Sequence, residues 1–330
     1  MAPGVDLLVQ FFPSFAKIVL AATGLAIIFG IMGVINLAHG EFIMVGAYAT
    51  TLAYNGALGA LPLVPVDPIG VLPGAVQLPA AMLTGVLVTA LFGLVVERTV
   101  ISGAVPNWIA ERTIGRPVVK PMYDRLLDSM VATWGISLIM VQLVRNLYGN
   151  SLNGIGIPFG QFSYGNGLSI STYKLVLAGV AALVLLLLYV VFVRTDYGMR
   201  ARATIQNEGM AKSLGVDTER TYMATFALGS GLAGLTGALY APLQTIVPGM
   251  GGGFLVEAFV AVVVGGASVV VGTLLAGGLL GFVYALFANV WGTFAGRIML
   301  LVVAILVIRF VPQGLSSLVE RIRDRWAEVS

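Results

Sequence analysis

The sequence predicts an all-α, polytopic integral membrane protein with about eight to nine transmembrane helices, some broken or glycine-rich. Three observations carry this. Hydrophobic residues make up 58% of the chain and charged residues 10%, with mean hydropathy +0.97. A soluble domain needs about 25% charged residues to clothe its surface, so the solvent here is the bilayer. The apolar runs are long enough to span it at roughly 20 residues each. The 42 glycines lie inside those runs rather than in polar tracts, as close helix packing and interrupted membrane helices require.

In chain order, the runs place helices near 15–35, 37–58, 78–96, 128–148, 172–193, 221–243, 255–271, 273–290 and 295–311. The first run, Ile18 to Ile35, has no basic stretch before it and continues into a second run, so it reads as a span rather than a leader. The charge-free run from Ala258 to Gly296 is too long for one crossing, and Gly265, Gly266 and Gly272 are where it breaks. The whole chain, 1–330, reads as one transmembrane domain with a cytoplasmic loop at 195–220 and a basic tail at 312–330.

Lys and Arg favour the cytoplasmic side. Arg98, Arg112, Arg116, Lys120 and Arg125 follow the third run, and Arg194, Arg200, Arg202, Lys212 and Arg220 follow the fifth. Arg309, Arg321, Arg323 and Arg325 mark the tail. Counting back through an odd number of spans puts the N-terminus outside and the C-terminus in the cytoplasm. The 59–77 connection agrees, carrying Pro62, Pro65, Pro68, Pro73 and Asp67 but no basic residue. Lys17 and Arg297 dissent, falling at outer ends, where long side chains snorkel.

Most chemistries are excluded. With no cysteine and one histidine, no ordinary zinc or haem site can be built. No glycine precedes Lys17, Lys120, Lys174 or Lys212, so the phosphate-binding G-x-x-x-x-G-K-[ST] is missing. H-E-x-x-H and G-x-S-x-G are missing too, and the formal charge of +3 is too small for nucleic-acid binding. No cofactor is expected on this chain, and catalysis is not.

Gly33 to Gly46 is the run in which Asn36, His39 and Glu41 interrupt apolar sequence. Intramembrane polar groups mark a solute path, a relay or a buried pairing. The topology moves these three to a turn between the first two helices, where they shape that turn and an inner gate. Gln142, Asn146, Gln244, Glu257 and Asn289 are further candidates for a polar passage. Sparse charge favours a small neutral solute such as urea over a zwitterion, which would want both signs or helix ends nearby. The competing reading is a self-sufficient channel or proton-coupled carrier using His39 and Glu41 as a relay.

The loop Thr195 to Arg220 has helical apolar spacing, with Met199 four before Ala203 and Met210 four before Leu214. Two short amphipathic helices follow, with Gly215 as a C-terminal cap and Asp217 or Thr218 capping the next helix. The loop is either an interfacial connector or a docking element seating its Met and Leu in a partner's groove.

The chain resembles the permease subunits of ABC importers for branched-chain amino acids, urea and short-chain amides. The likeness rests on G-L-A-I-I-F-G-I-M-G-V-I-N-L-A-H-G-E-F at Gly24 to Phe42, L-L-D-S-M-V-A-T-W-G-I-S-L-I at Leu126 to Ile139 and the loop above. It continues through T-F-A-L-G-S-G-L-A-G-L-T-G at Thr225 to Gly237, E-A-F-V-A-V-V-V-G-G at Glu257 to Gly266 and P-Q-G-L at Pro312 to Leu315. The resemblance implies a second homologous permease subunit, two ABC ATPases carrying ATP and Mg²⁺, and an extracytoplasmic solute-binding protein, in a bacterial inner membrane among lipid. It makes Gly198 to Gly215 the ATPase-coupling region, with Met199, Arg200, Arg202, Gln206, Asn207, Met210, Lys212, Leu214 and Gly215 as coupling residues. A-T-W-G-I-S-L and I-Q-N-E-G-M-A-K-S-L-G are similar to the urea and amide branch, with branched-chain amino acids next. The basic segment Ala104 to Pro121 and V-P-G-M-G-G-G at Val247 to Gly253 depart from the family pattern.

Overall fold

A computed structural model describes residues 3–57, 72–114, 119–123, 125–164, 168–266, 268–319 and 321. Most of the proline-rich 59–77 connection, Arg116, Arg323 and Arg325 lie outside the described residues. The described residues are nearly all helical, in the order α1 (Pro3–Met32), α2 (His39–Tyr54), α3 (Gly74–Val96), α4 (Ala104–Ile114) and α5 (Leu126–Tyr148). A short hairpin of β1 (Gln161–Tyr164) and β2 (Leu168–Ser171) precedes α6 (Thr172–Arg194), α7 (Asp196–Gln206), α8 (Glu208–Ser213) and α9 (Thr218–Tyr240). The chain continues through α10 (Gly252–Gly265), α11 (Val269–Trp291) and α12 (Thr293–Phe310).

Among the described residues, seven helices are long and apolar enough to cross a membrane: α1, α3, α5, α6, α9, α11 and α12. The predicted second and seventh spans are shorter. Helix α2 has 16 residues and α10 has 14, about 24 and 21 Å of helix against a hydrocarbon core of about 30 Å. The first helix starts at Pro3 rather than near 15, because Leu7 to Phe15 continue the apolar pattern and Ser14 returns its hydroxyl to the Gln10 carbonyl. It stops at Met32 because Gly33 takes positive φ, 62°. The hairpin was not expected; its four register pairs run from Gln161–Ser171 to Tyr164–Leu168.

The chain divides into two compact units. One comprises residues 27–156 and 192–255, and is built on α2, α3 and α9. Its seams are made of small residues. An added Cβ on Gly46 would stand 2.3 Å from the Gly234 carbonyl oxygen, one on Gly237 would overlap the Ile43 carbonyl, and one on Gly85 would strike Thr50. Such contacts replace hydrophobic driving force with close packing, as membrane helices must. The opposite stripe of α3, Leu83, Leu87, Leu91 and Val95, faces outward.

The other unit comprises residues 1–26, 157–191 and 256–330. The α10–α11 break falls at Gly265–Gly266 as expected, with Gly266 at φ +83°. That turn lies against Gln313 and Gly314, so the glycine pair and P-Q-G-L meet. Gly281 of α11 sits against the backbone of Phe15, and Gln10 of α1 donates to Asn289 at 2.8 Å.

Lys17 and Arg297 need a different explanation from snorkelling. Lys17 Nζ lies 2.8 Å from Glu257 Oε1, and the Arg297 guanidinium 3.4 Å from the same oxygen. Glu257 is 4% exposed. Two cations from α1 and α12 share one buried carboxylate of α10, so they report a helix-to-helix tie rather than an interface depth.

Candidate functional site

The polar turn and the 195–220 loop lie in the same unit. Between α1 and α2, residues 33–38 leave helical geometry and their backbone groups need partners inside an apolar surrounding. The Asn36 side-chain oxygen accepts from Ala38 N at 3.0 Å, closing an Asx-type turn. Helix α5 supplies the rest: Ser129 Oγ accepts from Ile35 N at 3.3 Å, and Thr133 Oγ1 accepts from Leu37 N at 3.0 Å while donating toward Ile35 O at 3.1 Å. The Ser137 hydroxyl reaches Glu41. Asn36, His39 and Glu41 are all buried; the Asn36 amide nitrogen and Glu41 Oε2 have no hydrogen-bond partner among the described residues. Gly40 packs backbone to backbone on Gly251, which accounts for that glycine of the Val247–Gly253 turn, and Gly249 takes φ +83°.

Ser129, Thr133 and Ser137 escaped the sequence reading. Their spacing of four puts three hydroxyls on one face of α5, and that face was the available signal. Of the remaining passage candidates, Gln142 and Asn146 project from the exposed side of α5, away from this turn. Glu257 and Asn289 belong to the other unit, engaged with Lys17 and Gln10. Gln244 follows the short turn Ala241–Leu243 after α9.

The loop forms the two helices expected of it. Thr195, Asn207 and Asp217 each cap the helix that follows, accepting from Gly198 N, Met210 N and Arg220 N. Gly215 ends α8 with φ +84°, the left-handed conformation glycine supplies at a helix end. Gly198, Ala201, Thr204 and Ala211 are turned inward. A Cβ on Gly198 would overlap Phe192 of the last turn of α6, and Arg202 also bonds the Phe192 carbonyl. The Tyr197 hydroxyl meets Thr225 Oγ1 of α9 at 2.8 Å, and burial pushes that phenol above its usual pKa. Outward stand all nine expected coupling residues, from Met199 to Gly215. Met210 is 60% and Leu214 76% exposed, and Ile205, not singled out from the sequence, joins them. Lys212 and Glu208 pair at 2.7 Å beside this apolar patch.

Fold and site together define a multi-pass, mainly helical membrane protein. Residues 7–311 match the family described as branched-chain amino acid transport system / permease component, and the chain belongs to that family, a permease of the ABC importers. It is similar to the probable branched-chain amino acid transport permease protein LivH of Methanocaldococcus jannaschii, 26% identical over 91% of this chain and 88% of that one. It is also similar to BraD of Pseudomonas aeruginosa, 28% identical over 90% of each chain, and to LivH of Escherichia coli K12, 26% identical over 90% of each. Both are high-affinity branched-chain amino acid transport system permease proteins. No solved structure matches.

Proposed function

We propose that this permease imports a small solute when partner ATPases, holding ATP and Mg²⁺, dock on the α7–α8 surface. The observation that carries the reading is that surface: Met199, Ile205, Met210 and Leu214 stand exposed on two helices whose other face is locked to α6 and α9. A second homologous permease subunit and an extracytoplasmic solute-binding protein complete the assembly. The N-terminus lies outside and the C-terminus inside the cytoplasmic membrane, and the pairing of Lys17 and Arg297 with Glu257 removes the two charges that argued otherwise. Replacing Met210 and Leu214 with Asp tests the docking: uptake is lost while the protein stays in the membrane, and unimpaired uptake would refute it. Uptake by this chain alone, or dependence on a proton gradient, would instead favour a channel or a carrier.

For the solute, a branched-chain amino acid is the first reading, supported by the names of the relatives. A urea or short-chain amide is the second, supported by a chain only 10% charged and by A-T-W-G-I-S-L and I-Q-N-E-G-M-A-K-S-L-G, which are similar to that branch. Competition by leucine, urea and acetamide for uptake in cells carrying the complete transporter separates them. Competition by leucine alone fixes the first, and competition by the amides alone the second.

A further inference from the structure

The seam between α2 and α5 is layered. At one end Glu41 of α2 meets Ser137 of α5. Three and seven residues further along each helix, and so on the same faces, stand Met44 and Tyr48 on α2 and Met140 and Val144 on α5. These four are buried in one apolar cluster with Ile155 and Ile246, from the segments that follow α5 and α9. Ala241, just past the last turn of α9, belongs to it too. The α7–α8 loop leads into the other end of α9, a helix of 23 residues, about 34 Å long. The cluster therefore lies at the end of the unit away from that loop, beyond the polar turn along α2.

Two observations set this cluster apart from ordinary core. The Tyr48 hydroxyl is buried in it with no hydrogen-bond partner among the described residues, a loss that a permanently packed core has no reason to carry. The segment 149–156, which packs on the cluster through Leu152 and Ile155, is lightly tied. It leaves α5 at Gly149, with φ +77°, and a Cβ added to Gly149, Gly154 or Gly156 would meet nothing within 4 Å. Between these glycines Leu152 N donates to Ile246 O at 3.0 Å in an isolated antiparallel bridge, and Asn153 O accepts from Asn55 Nδ2 at 3.1 Å. Ser151, Asn153 and Gly154 are exposed. The segment is a strap: glycine at both ends, a wedge at Ile155, and backbone bonds that part without disturbing a helix.

We propose that the 149–156 strap is the outer gate of the solute path, and that the Leu152–Ile246 bridge must part, withdrawing Ile155 and uncovering Tyr48, for solute to enter. This rests on the importer reading above, in which α5 ends on the outer side. The chain has no cysteine, so Leu152→Cys with Ile246→Cys supplies both thiols of a lock. Residues paired across such a bridge stand about 5.5 Å apart at Cα, within the roughly 4.4–6.8 Å of a disulfide. Uptake of labelled leucine and of labelled urea is measured in cells carrying the complete transporter, after oxidation and again after dithiothreitol. Uptake falls in proportion to the fraction of chains cross-linked and returns on reduction. Undiminished uptake with the disulfide formed overturns the proposal, whereas no uptake of either solute by wild type overturns the importer reading and the gate with it. Should the double variant fail to reach the membrane or to cross-link, Ile155→Cys decides. A membrane-impermeant maleimide added from outside modifies it faster during uptake than after ATP depletion, and equal rates overturn the gate.

Discussion

Gly46→Ala puts the packing argument to its sharpest test. The new methyl would sit 2.3 Å from the Gly234 oxygen and 2.5 Å from its Cα, where ordinary contact begins near 3.4 Å. Neither obstacle is a side chain that can swing aside, so α2 and α9 must separate by about 1 Å, or tilt. Overpacking costs about 1–3 kcal/mol, and a backbone obstacle places this case at the upper end. Gly135→Ala in α5 is the matched control: nothing lies within 4 Å of its added methyl, and replacing a mid-helix glycine by alanine stabilises a helix by up to about 1 kcal/mol. Thermal unfolding in detergent, followed by size-exclusion of the surviving fraction, should show a lowered midpoint for Gly46→Ala and an unchanged or raised one for Gly135→Ala. Equal midpoints for Gly46→Ala and wild type, or an equal fall in the control, would refute the reasoning.

Thr133→Val keeps the shape of α5 but strands the Leu37 amide. Destabilisation of about 1–3 kcal/mol follows from leaving such groups unpaired, and Thr133→Ser should recover most of it in the same unfolding assay. Glu257→Gln removes the carboxylate that Lys17 and Arg297 share. The loss falls below the roughly 3–5 kcal/mol of a fully enclosed pair, because the Arg297 side chain is 57% exposed; adding Lys17→Met should restore stability, and a further fall would contradict the tie. Asn207→Ala removes the α8 cap, costing about 1 kcal/mol of local stability, and amide hydrogen exchange should rise across Glu208–Ser213 with little change in α9.

How much of this was legible in the sequence follows from what kind of signal each element leaves. The long spans announce themselves by composition, and caps at Asp217 and Gly215 by residue type. Helices α2 and α10 read as full spans because hydropathy reports apolarity, whereas their lengths are set by backbone contacts such as Gly40 on Gly251. The hairpin at Gln161–Ser171 was legible from Asn166-Gly167 between its two short runs. Asn36 and Gly215 stand where residue chemistry placed them. Glu257 is held by partners distant in sequence: Lys17 and Arg297 read individually as interface residues, and pairing is invisible to a one-residue reading. Ser129, Thr133 and Ser137 were overlooked for a similar reason, since hydroxyls in membrane helices usually bond their own backbone, as Ser129 also does to Leu126 O.

The glycine seams have a mechanical meaning. Gly198 abuts the end of α6 and Tyr197 holds α9; α9 meets α2 through Gly234 and Gly237, and α2 meets the Val247–Gly253 turn through Gly40. Along that route every junction but Tyr197–Thr225 is main chain against main chain, which leaves little side-chain repacking to absorb a displacement. A load applied at Met210 therefore arrives at His39 as movement of whole helices rather than as rearranged side chains. The unit responds as a strut, and its compliance must reside in its loops.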